Sequence, residues 1–274
     1  MIPFSVLMSV YIKEQACLLD KALHSVLVEQ TVKPSELVLV EDGELTEDLY
    51  TVIQKYQKEF SITVIKLPQN GGLGNALNIG LQKCNNEWIA RMDSDDISLP
   101  RRFEKQLYYI ENHPDVDVLG CSLLEFDNDE REIKAIKSCP ENIDSYIKWR
   151  CPINHPTVFF KKSSVLQAGS YQHCLYMEDY HLWIRMYALG MKITSLQEGL
   201  YLFKMDVNAQ KRRGGRKYLA SELEIQSLLL KKHIISLPQY FINIIIRGGA
   251  RLIPSKIRGL GYNMFLRKKK LKTY

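Results

Sequence analysis

The stretch Trp88-Ile89-Ala90-Arg91-Met92-Asp93-Ser94-Asp95-Asp96 sets three carboxylates within four residues directly after a strand-like run, and it constrains the chain more than any other feature. Like charges this close repel one another, so they are tolerated where a cation or a polar turn relieves them. Glu87 to Met92 reads as a short buried strand. Ile97-Ser98-Leu99-Pro100 then leads into a helix with Phe103, Leu107 and Ile110 on one face, ending before Pro114. The acids therefore fall at the carboxyl end of a strand, where open α/β sheets bind ligands. For a D-x-D taken alone, a solvated acidic turn is the plain alternative.

The residues before this stretch alternate in period. Phe4 to Tyr11 reads as a buried strand, and Leu18 to Val28 as a helix with Leu19, Leu23, Val26 and Leu27 at helical spacing. Glu36 to Glu41 is a second strand, ending in Asp42-Gly43; Leu49 to Phe60 is a helix and Ile62 to Lys66 a third strand. This β-α-β-α-β order predicts a mainly parallel sheet with crossover helices. No G-x-G-x-x-G follows the first strand, which argues against a dinucleotide fold. Asn70-Gly71-Gly72-Leu73-Gly74 opens a helix running to Leu81, whose small residues admit either a ligand or close packing on the sheet.

Beyond Pro114, Val116 to Leu119 and Ser122 to Phe126 read as two strands broken at Gly120-Cys121, and Asp127 to Glu132 as a solvated charged turn. Ile143 to Trp149 reads as a helix, and Met191 to Ile193 and Tyr201 to Lys204 as two closing strands. His155 before Pro156 fits a structural role as well as a ligand contact. A second acidic segment, Tyr176-Met177-Glu178-Asp179-Tyr180-His181-Leu182-Trp183, opens a helix whose apolar face takes in Leu182, Met186 and Leu189. Acidic residues suit helix starts, so this pair could serve the helix alone.

Six cysteines are scattered without a C-x-x-C pair, as expected of reduced thiols in a cytoplasmic protein, and the start of the chain lacks the pattern of a secretory signal. The net charge of +6 hides an asymmetry: residues 225–274 carry eleven Lys or Arg and no acid, leaving the rest at −5. The apolar run Tyr240 to Ile246 is far shorter than the roughly 20 residues of a membrane span. Basic residues interleaved with apolar ones there suit an interfacial helix on an anionic bilayer better than nucleic acid, which favours clustered Lys and Arg on a polar scaffold.

Taken together, Phe4 to Tyr11, Val38 to Gly43, Asn70 to Leu81 and Ile89 to Asp96 resemble the nucleotide-sugar half of the GT-A fold, family 2 inverting glycosyltransferases. The likeness runs over roughly residues 4 to 215 and is greatest to bacterial enzymes that build O-antigen or exopolysaccharide repeat units. It implies an α/β GT-A domain over 1–215, divided into a nucleotide-sugar half (1–98) and an acceptor half (99–215), followed by a basic helical membrane-associating segment over 216–274. In that family the matches to Val10, Tyr11 and Glu14 border the nucleoside, and the match to Asp42 bonds uracil. Arg91, Asp93 and Asp95 match positions around the diphosphate, with Asp95 and Asp93 as metal ligands; Asn70, Ala76, Ser94 and Arg212 complete the implied donor site. Glu178 to Trp183 resembles the E-D-x-x-L/F-W motif, which implies Asp179 as catalytic base with Glu178 beside it.

The resemblance further implies Mn²⁺ or Mg²⁺, a UDP-sugar donor and an undecaprenyl-diphosphate-linked acceptor sugar at the cytoplasmic face of the bacterial inner membrane. Glucose in a β-1,3 linkage to N-acetylglucosamine is the first expectation, with galactose next. A sugar-nucleotide nucleotidyltransferase and a non-catalytic nucleic-acid-binding protein are the alternatives from other classes. The first would need a glycine-rich, basic signature after the first strand, and residues 9 to 16 supply none.

Overall fold

The computed structural model describes residues 2–140, 142–205 and 215–249; Arg212 and most of the basic tail lie outside these residues. The chain begins β1 (Phe4–Val10), α1 (Ala16–Leu27), β2 (Glu36–Glu41), α2 (Glu47–Gln57), β3 (Ile62–Lys66), α3 (Leu73–Lys83), β4 (Trp88–Asp93). β1 pairs in parallel with both β2 and β4, and β2 with β3. The strands step outward from β1 through β2 to β3, then return to the other flank of β1 with β4. Such a reversal opens a crevice at the carboxyl ends of the strands, the usual ligand position in open α/β sheets.

Side-chain alternation along β1 explains why both faces are covered. Phe4, Val6 and Met8 pack with Leu19, Leu23, Leu49 and Ile53 of α1 and α2, whereas Leu7 packs with Ala76, Leu77 and Leu81 of α3. A strand buried on both sides reads as a continuous apolar run, as β1 and β2 do. α2 starts where the Thr46 hydroxyl accepts from the Leu49 amide at 3.4 Å, with Glu47 and Asp48 in the first turn.

The second half adds β5 (Ile97–Ser98), α4 (Arg102–Asn112), β6 (Val116–Phe126), β7 (Ala135–Lys137), the short helix α5 (Ile143–Tyr146), β8 (Phe159–Lys161), α6 (Lys162–Gln167), α7 (Glu178–Ala188) and β9 (Lys192–Lys204). Among the described residues they complete one nine-stranded sheet in the order β3-β2-β1-β4-β8-β6-β9-β5, with β7 on β6. This mixed sheet with crossover helices is the architecture expected from the order of elements in the sequence.

Several expectations are corrected here. The two strands expected on either side of Gly120-Cys121 are one, β6. Gly120 marks a close approach and no turn: a Cβ there would meet Ile153 Cγ1 at 2.6 Å. The two closing strands are likewise one, β9, because pairing with β6 carries the polar run Gln197-Glu198-Gly199 across the gap. Ile97 and Ser98, expected as a lead into a helix, pair with β9. α5 stops at Tyr146, short of Trp149, and α7 stops at Ala188, leaving Leu189 exposed.

Two more helical pieces, Arg216–Lys231 and Leu237–Asn243, follow, the second running on into a π-helical turn at Ile244–Gly248. Tyr218, Ile225 and Leu229 of the first pack on Met177, Tyr180 and Ile184. Among the described residues no helix is long and apolar enough to cross a membrane.

Candidate active site

The carboxyl ends of β1, β2 and β4 gather most of the donor-site residues expected from the sequence. Val10 closes β1, buried, and its carbonyl accepts from the Asp42 amide at 2.8 Å; Tyr11 stands exposed just beyond it. Asp42 is itself buried, and its two carboxylate oxygens accept from the Gly71 and Gly72 amides at 2.7 and 3.0 Å. The carboxylate that the resemblance assigns to uracil is thus also the anchor of the glycine loop. Asn70 donates to the Asp42 carbonyl at 3.3 Å. Gly43 lets this loop come close: at φ 90° it has the left-handed backbone glycine tolerates, and a Cβ would lie 2.8 Å from the Asn70 nitrogen. Ala76 faces the sheet with no exposed surface, so any part it has in the site lies in packing.

At the end of β4 the side chains of Asp93, Asp95 and Asp96 each offer an oxygen within 4.8 Å of the others. Glu14 joins them from the loop before α1. Its carboxylate accepts from the Gln15 amide and from the Ser94 hydroxyl, both at 2.8 Å. Burial, reinforced by the charges of Asp93 and Glu14, pushes the Asp95 carboxyl up to about 7. Burial and the charges of Asp95 and Asp93 push Asp96 well above the usual carboxylate range. Asp96 Oδ1 accepts from the Lys204 amide at 2.7 Å, while Asp96 Oδ2, fully buried, has no hydrogen-bond partner among the described residues. Crowded hard oxygens with one buried lone pair to spare fit a divalent cation.

Arg91 and Arg102 hold this turn from behind. The Arg91 guanidinium, 2% exposed, pairs through Nη2 with Asp93, while its Nε and Nη1 have no hydrogen-bond partner among the described residues. Burial opposes its charge, but Asp93 more than offsets that and holds it above its ordinary value. Arg91 is therefore engaged with a clustered aspartate and still has two buried donors to give. Arg102, also fully buried, donates to the Arg91 carbonyl at 2.9 Å and to Gln106 Oε1 at 3.0 Å. The Tyr201 hydroxyl accepts from the Asp93 amide at 3.2 Å. From the sequence Tyr201 reads only as a strand residue and Arg102 carries no assignment; nothing local marks either as a support of the acidic turn.

The second acidic pair opens α7. Glu178 lies against the glycine loop, with its Cγ 3.4 Å from where a Cβ on Gly74 would stand. Burial raises the Glu178 carboxyl above its ordinary value. Asp179 Oδ2 accepts from the Cys151 thiol at 3.5 Å. Tyr171 stands between this pair and β4. Its hydroxyl bonds His155 Nε2 at 2.8 Å, and its backbone exchanges two bonds with the Asn78 side chain of α3, at 2.7 and 2.9 Å. Burial raises the Tyr171 phenol above its usual value, Arg91 pulls it back, and the charges of Asp179 and Asp93 raise it further. One phenol is thus within electrostatic reach of both acidic stations. Burial and Arg91 keep His155 well below the usual imidazole value, hence neutral, packed between Tyr171 and Trp183.

A cleft of about 560 Å³ lies before Asp95, bordered by Gln15, Lys21, Asn128, Glu130 and Lys204. Asp179 does not line it; the link between the two stations runs through Tyr171 and the glycine loop. The charged turn after β6, expected as plain solvated surface, also closes over α1 by the Lys21–Glu130 pair at 2.5 Å.

The family model of glycosyl transferase family 2 matches residues 5–180, which take in both acidic stations. The chain belongs to that family. It is similar to the amylovoran biosynthesis glycosyltransferase AmsE of Erwinia amylovora, at 39% identity over 93% of this chain and 96% of the relative. It is similar at 37% identity, over 97% of each chain, to the Escherichia coli UDP-Gal:alpha-D-GlcNAc-diphosphoundecaprenol beta-1,3-galactosyltransferase. Among solved structures, S. aureus TarS 1-349 in complex with UDP-GlcNAc superposes with a TM-score of 0.69 at 18% identity, over 97% of this chain and 76% of that one. This family 2 glycosyltransferase is therefore an enzyme, and the nucleotidyltransferase and non-catalytic alternatives fall away.

Proposed function

We propose that this glycosyltransferase moves a hexose from a UDP-sugar, with inversion, onto an N-acetylglucosamine carried by undecaprenyl diphosphate, in the assembly of a bacterial polysaccharide repeat unit. The observation that carries the proposal is the packing of Glu178, at the start of α7, on the glycine loop that Asp42 anchors at the strand ends, since single displacement needs a leaving-group station and a base station at one sugar. Galactose moves ahead of glucose as the donor sugar, because the Escherichia coli relative is named for UDP-Gal and a β-1,3 linkage.

Asp93 and Asp95, with Asp96 behind them, would hold Mn²⁺ or Mg²⁺. Such an ion, when bound, neutralises the diphosphate and makes UDP a better leaving group. The residues of the chain do the rest. Val10, Tyr11 and Glu14 border the nucleoside; Asp42 and Asn70 fix the glycine loop beside it; Arg91 offers its two spare N–H groups towards anionic oxygens. Asp179 takes the proton of the attacking acceptor hydroxyl, while Glu178, raised by burial, orients the acceptor. Carboxylates around the reacting sugar also favour its oxocarbenium character. Residues 1–215 form the catalytic domain and 216–274 a segment that holds it at the cytoplasmic face of the inner membrane.

The test is a screen of UDP-sugars against a lipid-diphosphate N-acetylglucosamine analogue, with and without Mn²⁺, followed by linkage analysis. The expected product is a β-1,3-linked hexose formed only with a divalent ion. Transfer that is indifferent to metal, or an α-linked product from an α-linked donor, would overturn the mechanism.

A further inference from the structure

We infer that the outward face of the helix Leu237–Asn243 and of the turn Ile244–Gly248 is a docking surface for a bilayer containing anionic lipid. This element is built inside out. Its inward face carries polar pins beside Tyr240, which packs on the core beneath: Asn243, fully buried, donates to the Lys148 carbonyl at 2.9 Å and to Gln226 Oε1 at 2.7 Å, and the Arg247 guanidinium grips Glu222 at 2.5 and 3.1 Å. Its outward face is apolar. Leu237, Phe241, Ile242, Ile245 and Ile246 are 56, 56, 46, 73 and 58% exposed. A helix docked on a water-facing domain buries its apolar stripe and shows its polar one. Here polar pins and Tyr240 hold it to the domain, and five large aliphatic and aromatic side chains point away from it.

Charge decides the occupant. Lys231 and Lys232 are exposed just before the element, and residues 250–274 carry eight Lys or Arg and no Asp or Glu. An apolar row flanked by cations matches acyl chains beneath anionic headgroups. A second copy of the chain would bring the same positive charge against it, and a nucleic acid would leave the apolar row uncovered.

The docking face is also fastened to the acceptor station. The helix Arg216–Lys231, to which Arg247 and Asn243 are pinned, packs its Tyr218, Ile225 and Leu229 on Met177, Tyr180 and Ile184 at the start of α7. That the bilayer thereby presents a lipid-linked acceptor to the segment bearing Asp179 rests on the function proposed above; the docking itself does not.

The experiment compares the full chain with Phe241→Ser/Ile245→Ser in co-sedimentation with vesicles of phosphatidylglycerol and phosphatidylethanolamine, or of phosphatidylcholine alone. Both positions are exposed, and transfer to a water-soluble acceptor analogue reports that the fold survives. Should the pair unfold, Ile246→Ser is the milder substitute. The wild type is expected to bind the anionic vesicles and not the neutral ones, and the double variant to bind them roughly tenfold less or weaker still, with soluble transfer unchanged. Equal binding by wild type and variant, no binding by the wild type, or a dimer in sedimentation velocity that the variant splits would each overturn the proposal. If the wild type transferred no sugar to any acceptor, the proposed function would fail while the vesicle result still judged the docking face.

Discussion

The two acidic stations are held by opposite means. Asp93, Asp95 and Asp96 come from one short run at the end of a central strand, where burial, reinforced by their mutual repulsion, pushes two of them above the usual carboxylate range. Glu178 and Asp179 open a helix in another layer, where the helix dipole favours acidic residues and a thiol and the glycine loop lie alongside. Crowding without compensation is costly unless a cation relieves it, whereas a helix start is a comfortable place for a carboxylate. The first station is therefore shaped to hold charge that something else neutralises, and the second to offer a lone pair by itself.

Substitutions that sever the two roles test this contrast most directly. Asp95→Ala is expected to lower metal-dependent transfer by on the order of 10³-fold or more, and with it the metal-dependent binding of UDP measured by calorimetry. Asp179→Asn, nearly the same shape, should lower kcat by about 10²–10³-fold while UDP binding with Mn²⁺ stays near wild type. If the second variant lost UDP binding as the first does, the stations would not be divided as described. Near-normal turnover by Asp179→Asn would remove it as the base.

The contrast also governs what could be read from the sequence. The first half of the sheet was legible because everything it needs is local: apolar runs give β1, β2 and β4, and their carboxylates sit at the strand ends or within a few residues beyond them. The region around the second station is assembled across distance. Tyr171 reaches His155 and the field of both stations, Cys151 reaches Asp179 over 28 positions, and Arg102 buries itself under β4 from the start of the next helix. None of these has a spacing that periodicity can detect. β6 and β9 were misread for a related reason: their breaks at Gly120 and around Gly199 look like turns until strand pairing, a tertiary contact, carries them through.

Acid should act on the two regions with opposite sign, a smaller effect but one that reads the contrast in a single titration of metal-free protein. The Asp95 carboxyl, up at about 7 in the fold against an ordinary 3.8, favours the folded state at low pH, and that contribution is lost as pH rises through 7. His181, on α7 and beside Arg185, is held down to about 4, chiefly by burial. It is neutral in the fold, so stability is whole above its ordinary 6.5 and is lost as pH falls from there towards 4. Asp95→Asn should therefore raise the Tm in chelator at pH 8 by on the order of a few degrees, and by less at pH 5. His181→Asn should do the reverse, flattening the loss between pH 7 and 5 while leaving pH 8 nearly unchanged. A gain from Asp95→Asn equal at both pH values would show that burial and its neighbours do not raise the Asp95 carboxyl. The first station would then be an ordinary polar turn, with nothing to set it apart from the second.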